Sequence, residues 1–155
     1  MGTQVEQLIH HLATADDMEA LGGKFAKACP VSARIYLQGQ LGAGKTTWVR
    51  GFLRGMDYTG KVKSPTYTLV ESYQLHDRLI HHLDLYRIKD PVELEIIGVR
   101  DYLDDTCIAL VEWPERGGRL LGQPDVLIQI NVQGHDREVT MSSASTTGQR
   151  MVKYI

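Results

Sequence analysis

The sequence has few cysteines, no long apolar stretch and no excess of positive charge, and each shortage excludes a class of protein. Its two cysteines, Cys29 and Cys107, fit no metal-binding or redox spacing, so we interpret them as small buried residues in a reducing compartment. No stretch of about 18 apolar residues is present, and the N-terminus lacks the basic and apolar segments of a signal peptide. We therefore expect a cytoplasmic protein without a membrane partner.

The net charge and the length of the chain further limit its expected partners and its number of domains. With 17 basic and 19 acidic residues, the net charge of −2 offers no general attraction to nucleic acid. A chain of 155 residues is long enough to bury a core without disulfides, and it shows no internal repeat. We therefore predict a single domain spanning residues 1–155.

One glycine-rich segment fits the phosphate-binding pattern G-x-x-x-x-G-K-[ST]. It consists of Gly39, Gln40, Leu41, Gly42, Ala43, Gly44, Lys45 and Thr46. A predicted strand at 33–37 precedes the segment, and a predicted helix at 47–53, beginning with Thr47, follows it. Glycines let successive backbone N–H groups surround an anion at the helix N-terminus. The pattern therefore predicts a site for a nucleoside triphosphate formed by residues 39–47.

Three side chains are predicted to supply the chemistry of this site. Lys45 would reach the β- and γ-phosphates, and the Thr46 hydroxyl would bind Mg²⁺. Glu112 follows the apolar segment 107–111, which predicts a buried central strand. Because ligands gather at the carboxyl ends of strands in open α/β sheets, we predict that Glu112 also organises Mg²⁺. The alternative is that Glu112 only caps the next helix.

Polar side chains also cluster in a predicted hairpin formed by segments 66–75 and 79–86. Residues 64–68 overlap the start of this hairpin. They are predicted to form either a switch in which Thr66 senses the γ-phosphate or an ordinary turn. His82, Asp84 and Tyr86 would share one face of the second strand. From that face Asp84 would orient the attacking water or hold a metal-bound water.

The remaining pattern predicts an α/β protein. A helix is predicted to begin at Thr14, with acidic residues in its first turn. A residue near this helix start could touch an adenine ring, and Thr14 is our candidate. The other predicted elements are strands at 5–10, 126–132 and 137–141, the last at a sheet edge before a polar tail, and a short helix at 91–95. We expect a sandwich of the P-loop NTPase type, with a mixed, mainly parallel central sheet flanked by helices.

Four ordered motifs resemble the bacterial TsaE family. They are the glycine-rich segment, Lys63–Glu71, His82–Arg87 and Leu110–Pro114, and the resemblance extends from about Thr14 to Val132. It implies a small P-loop ATPase, binding ATP and Mg²⁺, that is required to make threonylcarbamoyladenosine in tRNA. It also implies that the protein docks on the TsaD and TsaB proteins, reaches tRNA only through that complex, and resets it by hydrolysis between turnovers.

The resemblance also implies a role for individual residues. Lys45 is expected to bind the phosphates, and Thr46 and Glu112 to organise Mg²⁺. Thr66 is expected to belong to a switch, and Asp84 to be needed for hydrolysis. Gln40 departs from the family, which usually has aspartate there. Because the loop holds phosphates through backbone N–H groups, we expect nucleotide binding to survive this change. If the aspartate tunes metal or partner contacts, hydrolysis would be weaker or differently regulated.

Two other functions remain open from the sequence. A small-molecule kinase would need a lid, for which Arg116 and Arg119 are candidates in the short segment 114–122. A nucleotide-gated binding module would use ATP to fix its shape without essential hydrolysis. A GTPase is disfavoured because the chain has no Asn-Lys-x-Asp motif. The only candidate for an internal arginine finger is Arg87, so we expect slow hydrolysis that a partner stimulates.

Overall fold

The computed structural model describes residues 7–155, in which a seven-stranded mixed sheet lies between two layers of helices. The strands are β1 (Gln7–Leu12), β2 (Ala33–Gly39), β3 (Val70–Leu75), β4 (Arg78–Asp84), β5 (Ile108–Glu112), β6 (Val126–Gln133) and β7 (Asp136–Ser143). The helices are α1 (Ala15–Ala28), α2 (Lys45–Gly55), α3 (Val92–Ile96) and α4 (Thr146–Lys153), with 3₁₀ segments at Val99–Tyr102 and Pro114–Leu121.

The centre of the sheet is parallel and its margins are antiparallel. The strand order is β1-β7-β6-β2-β5-β4-β3, and β6, β2, β5 and β4 pair in parallel. All five residues of β5 are buried, as a continuous apolar strand covered on both faces requires. The predicted mixed α/β sandwich is therefore confirmed, and the four parallel strands end at the same edge of the sheet.

Glycines let α1 and α2 pack backbone to backbone on one face of the sheet. A Cβ atom added at Gly51 would lie 2.0 Å from the Glu19 carbonyl oxygen, and one at Gly22 would lie 2.1 Å from the Trp48 carbonyl oxygen. The Trp48 ring packs with the Phe25 ring at a centroid distance of 5.5 Å. This close approach fixes α2, whose first two residues, Lys45 and Thr46, are the last two of the glycine-rich segment.

The predicted hairpin is confirmed, but both of its outer ends are shorter than predicted. β3 begins at Val70 because Leu69, with φ of 73°, ends a turn and donates its N–H to the Pro65 carbonyl. β4 ends at Asp84, whose Oδ1 accepts the N–H of Tyr86 at 3.0 Å. The prediction that Tyr86 shares a strand face with Asp84 was therefore wrong.

Two predictions near the chain ends need correction. The strand at 137–141 is confirmed as β7, but β7 pairs with both β1 and β6 and so is not at an edge. The polar tail contains α4, where the Ser145 hydroxyl accepts the Gly148 N–H and Met151 is buried. The signal in the sequence that could have predicted this helix is Ser145, because serine favours the N-cap position of a helix. The first part of the strand predicted at 5–10 lies outside the described residues, and the remainder belongs to β1.

The expected burial of both cysteines is confirmed. Burial raises the pKa of Cys29 to about 12 and that of Cys107 to about 11. Across residues 7–155, none of the helices combines the length and apolar character needed to cross a bilayer.

Replacing Gly51 with alanine tests the helix contact. We expect Gly51→Ala to lower the free energy of unfolding by about 2 kcal/mol or more, because the new methyl group overlaps a backbone carbonyl. The matched control is Gly23→Ala on α1, where the nearest atom to the added Cβ, the Gly51 oxygen, lies 3.5 Å away. This control should be neutral or stabilising by up to about 1 kcal/mol. Urea unfolding measures both, and equal effects would contradict the packing described.

Candidate functional site

The parallel strands bring the predicted site residues together at one edge of the sheet. β2 ends at Gly39, β4 ends at Asp84 and β5 ends at Glu112. The register places Glu112 beside Leu37 on one side and beside Asp84 on the other. The glycine-rich segment begins at this edge, and its residues line one cleft together with Glu112, with Asp84 on the neighbouring strand.

The glycine-rich segment has the backbone geometry of an anion-binding loop. Gly42 has φ of 78° and Gly44 has φ of 113°, both in the left-handed region that favours glycine. A Cβ at Gly39 would lie 2.9 Å from the Ile130 carbonyl oxygen, so the start of the loop also requires glycine. The first hydrogen bond of α2 runs from the Trp48 N–H to the Gly44 carbonyl. The N–H groups of the first helical turn are therefore available to an anion in the loop.

The Lys45 side chain lies inside this loop. Its ammonium group donates to the Gly39 carbonyl and, at 2.9 Å, to the Gln40 carbonyl. The same nitrogen lies 4.6 Å from the centroid of the Trp113 ring. Burial lowers the pKa of Lys45, and the nearby Glu112 carboxylate partly opposes that shift. A buried cation that donates to loop carbonyls and lies over a ring is well placed to exchange these partners for a phosphate.

The Glu112 carboxylate is buried and contacts two other elements. Its side chain lies beside α2, where the Thr46 hydroxyl donates to Oε2 at 3.1 Å and is 3.4 Å from Oε1. The His82 Nε2 atom of β4 lies 2.6 Å from the same Oε2 atom. The predicted pair of Thr46 and Glu112 is therefore in direct contact.

Asp84 connects the strand ends to the segment before β3. Its Oδ2 atom accepts a hydrogen bond from the Thr66 hydroxyl at 3.2 Å, and the Thr66 oxygen is 2.8 Å from the Ser64 hydroxyl. Residues 66–68 form a turn, as one of the two interpretations expected. The contact with Asp84 links this turn to the strand end that lies beside Glu112. Burial raises the pKa of Asp84, and the neighbouring Glu112 carboxylate adds to the shift.

These oxygen atoms fit the needs of Mg²⁺. Thr46 offers a hydroxyl and Glu112 a carboxylate, with the Asp84 carboxylate on the adjacent strand. Mg²⁺ usually takes one or two carboxylates and completes its shell with water and substrate phosphates. Among the described residues no group of three or more histidine, cysteine, aspartate or glutamate side chains forms a metal cage. The donors therefore suit a metal ion that arrives with a phosphate ligand.

A second cleft lies on the other side of the glycine-rich segment. Thr14 lines it together with Thr47, which also lines the cleft beside Glu112. The Thr14 hydroxyl accepts the Asp17 N–H and so caps α1. That this helix start contacts a nucleotide base stays a prediction, and the capping bond explains Thr14 independently of any ligand.

The arginines considered from the sequence have aromatic neighbours. The Arg87 guanidinium lies 4.2 Å from the centroid of the Tyr67 ring. Arg116 lies 5.7 Å from the Tyr86 ring and 5.8 Å from the Trp113 ring. Both are therefore held by rings near the site, whereas Arg119 is an exposed residue of the second 3₁₀ segment.

Sequence reasoning missed two contacts that support the site. Arg137 of β7 donates from Nε to the Ala43 carbonyl at 2.9 Å and from Nη2 to the Gly42 carbonyl at 3.4 Å, so it holds the loop from behind. No sequence motif marks this contact. The contact between His82 and Glu112 was also missed, although the alternation of β4 places His82 on the same face as Asp84.

Comparisons with known proteins agree with this geometry. A family model described as "Threonylcarbamoyl adenosine biosynthesis protein TsaE" matches residues 12–140. A relative from Haemophilus influenzae, named tRNA threonylcarbamoyladenosine biosynthesis protein TsaE, is 39% identical over 153 residues, covering 96% of this chain and 97% of the relative. A Bacillus subtilis relative of the same name is 37% identical over 124 residues, covering 79% and 75%. The crystal structure of Bacillus subtilis YdiB matches with a TM-score of 0.83 and 25% identity, covering 98% of this chain and 95% of that one.

The raised pKa of Asp84 leads to a pH-dependent stability. Because burial disfavours the ionised carboxyl, its charge opposes folding above the folded-state pKa, and this penalty disappears as pH falls toward the ordinary value of 3.8. Asp84→Asn removes the penalty at every pH and adds a nearly constant cost for the altered hydrogen bonds. The wild type should therefore gain stability relative to the variant as pH falls from about 7.5 to about 4.5. Over this range the unfolding free energy of the variant minus that of the wild type should become smaller. Urea unfolding at both pH values checks this, and a difference that grows would contradict the assignment.

Proposed function

The chain belongs to the TsaE family, whose members act in tRNA threonylcarbamoyladenosine biosynthesis, and we propose that it is a Mg²⁺-dependent ATPase working with the TsaD and TsaB proteins. The observation that carries the proposal is the contact of Thr46 with Glu112 directly beside the glycine-rich loop. A hydroxyl at the start of the helix and an acid at the end of the central strand are the two protein groups that a P-loop NTPase uses to organise its metal ion.

In this proposal the loop binds the phosphates of ATP. Backbone N–H groups in the first turn of α2 donate to the phosphate oxygens, favoured by the helix dipole. Lys45 leaves the carbonyls of Gly39 and Gln40 and moves to the β- and γ-phosphates. The Gln40 side chain is exposed, and its carbonyl serves Lys45 irrespective of side-chain type. Glutamine at position 40, where the family usually has aspartate, is therefore compatible with phosphate binding.

Hydrolysis then proceeds by positioning and charge stabilisation, without a covalent intermediate. Thr46 and Glu112 would hold Mg²⁺, which would supply positive charge beside the phosphates. Asp84 holds the attacking water on the γ-phosphate side, with its orientation set by the Thr66 hydroxyl and the Tyr86 N–H. Lys45 stabilises the negative charge that develops during transfer.

The proposed partners would meet the protein beside the cleft. Tyr67, which is 83% exposed, follows Thr66 directly, and Leu41, which is 63% exposed, lies in the glycine-rich loop. Movement of Thr66 on loss of the γ-phosphate would therefore shift an exposed ring at the surface. This link supports a role in which hydrolysis resets the TsaD and TsaB complex between turnovers on tRNA.

Phosphate release from ATP, measured alone and with TsaD and TsaB, tests the proposal. We expect slow release by the chain alone and clear stimulation by the partners. Lys45→Ala should remove nucleotide binding, whereas Glu112→Gln should keep ATP binding and lower hydrolysis on the order of 10²-fold. Lys24→Ala, at an exposed position on α1, is the matched control and should behave as wild type.

Other results would point to different functions. Wild-type turnover in both Lys45→Ala and Glu112→Gln would contradict the assigned site. Transfer of phosphate to a small acceptor without either partner would favour a kinase. Full support of tRNA modification by Glu112→Gln, with hydrolysis abolished, would favour a nucleotide-gated binding module.

Trp113 provides a direct signal of nucleotide binding. ATP should draw Lys45 away from the Trp113 ring and so change the tryptophan emission in a saturable way. Trp48 is fully buried between α1 and α2 and should contribute a constant background. A fluorescence titration should therefore show the change in wild type and lose it in Trp113→Phe. An unaltered response in Trp113→Phe would contradict this assignment.

A further inference from the structure

His82 is a fully buried polar residue whose ring contacts the Glu112 carboxylate. It lies in β4, where the register pairs it with Leu110 and pairs Asp84 with Glu112. Its Nε2 atom is 2.6 Å from the Glu112 Oε2 atom. Its Nδ1 atom is buried without a hydrogen-bond partner among the described residues. The Glu112 carboxylate is thus the one polar group in this part of the chain that the ring contacts.

The hydrogen-bond chemistry fixes the direction of this contact. An ionised carboxylate only accepts hydrogen bonds, so the proton of the contact lies on His82 Nε2 and the ring donates. In a ring that carries a single proton, Nδ1 is then the unprotonated nitrogen. A charge-assisted hydrogen bond of this length restrains the carboxylate strongly.

We propose that His82 is a positioning residue that holds Oε2 of Glu112 and thereby leaves Oε1 for the metal ion that Thr46 and Glu112 would hold. Oε2 receives both short contacts, from His82 at 2.6 Å and from Thr46 at 3.1 Å, whereas Oε1 lies 3.4 Å from the Thr46 hydroxyl. A glutamate side chain has three rotatable bonds, so fixing one oxygen is what determines where the other points. The inference rests on the proposed Mg²⁺-dependent ATPase.

The alternative is that His82 only fills space in the core. The two roles differ in what they require of the side chain. A space-filling ring can be replaced by phenylalanine, which has a similar shape and no donor. A positioning residue can be replaced by glutamine, which keeps an N–H donor near Nε2 but lacks the ring. The pair His82→Phe and His82→Gln therefore separates the two roles.

The chain provides a matched control one residue away. His81 is also buried in β4, but it points to the opposite face, where its Nδ1 atom lies 2.7 Å from the Ser72 hydroxyl and its ring packs edge-on with Tyr102. His81→Phe makes the same chemical change in the same strand without touching Glu112. It should leave the Mg²⁺ dependence of the protein unchanged.

The experiment measures binding of a fluorescent ATP analogue with Mg²⁺ and with EDTA, together with kcat, KM for ATP and the Mg²⁺ concentration for half-maximal hydrolysis. We expect His82→Phe to bind the analogue normally in EDTA, to lose most of the Mg²⁺-dependent gain in affinity, and to need about 10- to 100-fold more Mg²⁺. We expect kcat to fall while KM for ATP changes little. His82→Gln should recover much of the Mg²⁺ response.

Two results would overturn the inference. One is a wild-type Mg²⁺ response in His82→Phe. The other is an equal loss in His82→Phe and His82→Gln that includes binding in EDTA, since this would assign the ring a structural role. If the wild-type protein hydrolyses no ATP even with its partners, the proposed function fails, but the effect of Mg²⁺ on analogue binding still tests His82.

Discussion

A buried carboxylate at the end of the central strand is the constraint around which this site is built. Glu112 is only 3% exposed, and burying a carboxyl group at that depth is costly unless hydrogen-bond partners surround it. Its donors come from different elements, with Thr46 at the start of α2 and His82 in β4. The parallel register of β2, β5 and β4 is what brings these elements to one edge of the sheet.

Packing between the helices fixes the position of the glycine-rich loop. α2 is held by backbone contact with α1, so the loop before it cannot shift without disturbing the core. Arg137 holds the loop carbonyls from β7, and Lys45 holds others from within. The loop is therefore preorganised from three directions, and ligand binding has mainly to move Lys45 rather than to fold the site.

Much of the fold and of the site could be predicted from the sequence because local chemistry determines it. Glycines at left-handed positions, alternating apolar residues in β2 and the continuous apolar strand before Glu112 are short-range patterns. What could not be predicted depends on contacts between distant segments. The contact of Arg137 with the loop, the covering of β7 by β1 and the packing of α4 all require the assembled sheet. The end of β4 was misplaced because the Asp84 side chain, by accepting the Tyr86 N–H, begins a turn that alternation alone does not show.

A crystal structure with a non-hydrolysable ATP analogue and Mg²⁺ would test the central claim most directly. We expect the Lys45 ammonium to have left the Gly39 and Gln40 carbonyls for the β- and γ-phosphates, and the metal ion to lie between Thr46 and Glu112. The His82 contact with Glu112 should be retained. A nucleotide bound elsewhere, or a metal ion remote from Glu112 while Lys45 stays on the loop carbonyls, would contradict the assignment of this cleft.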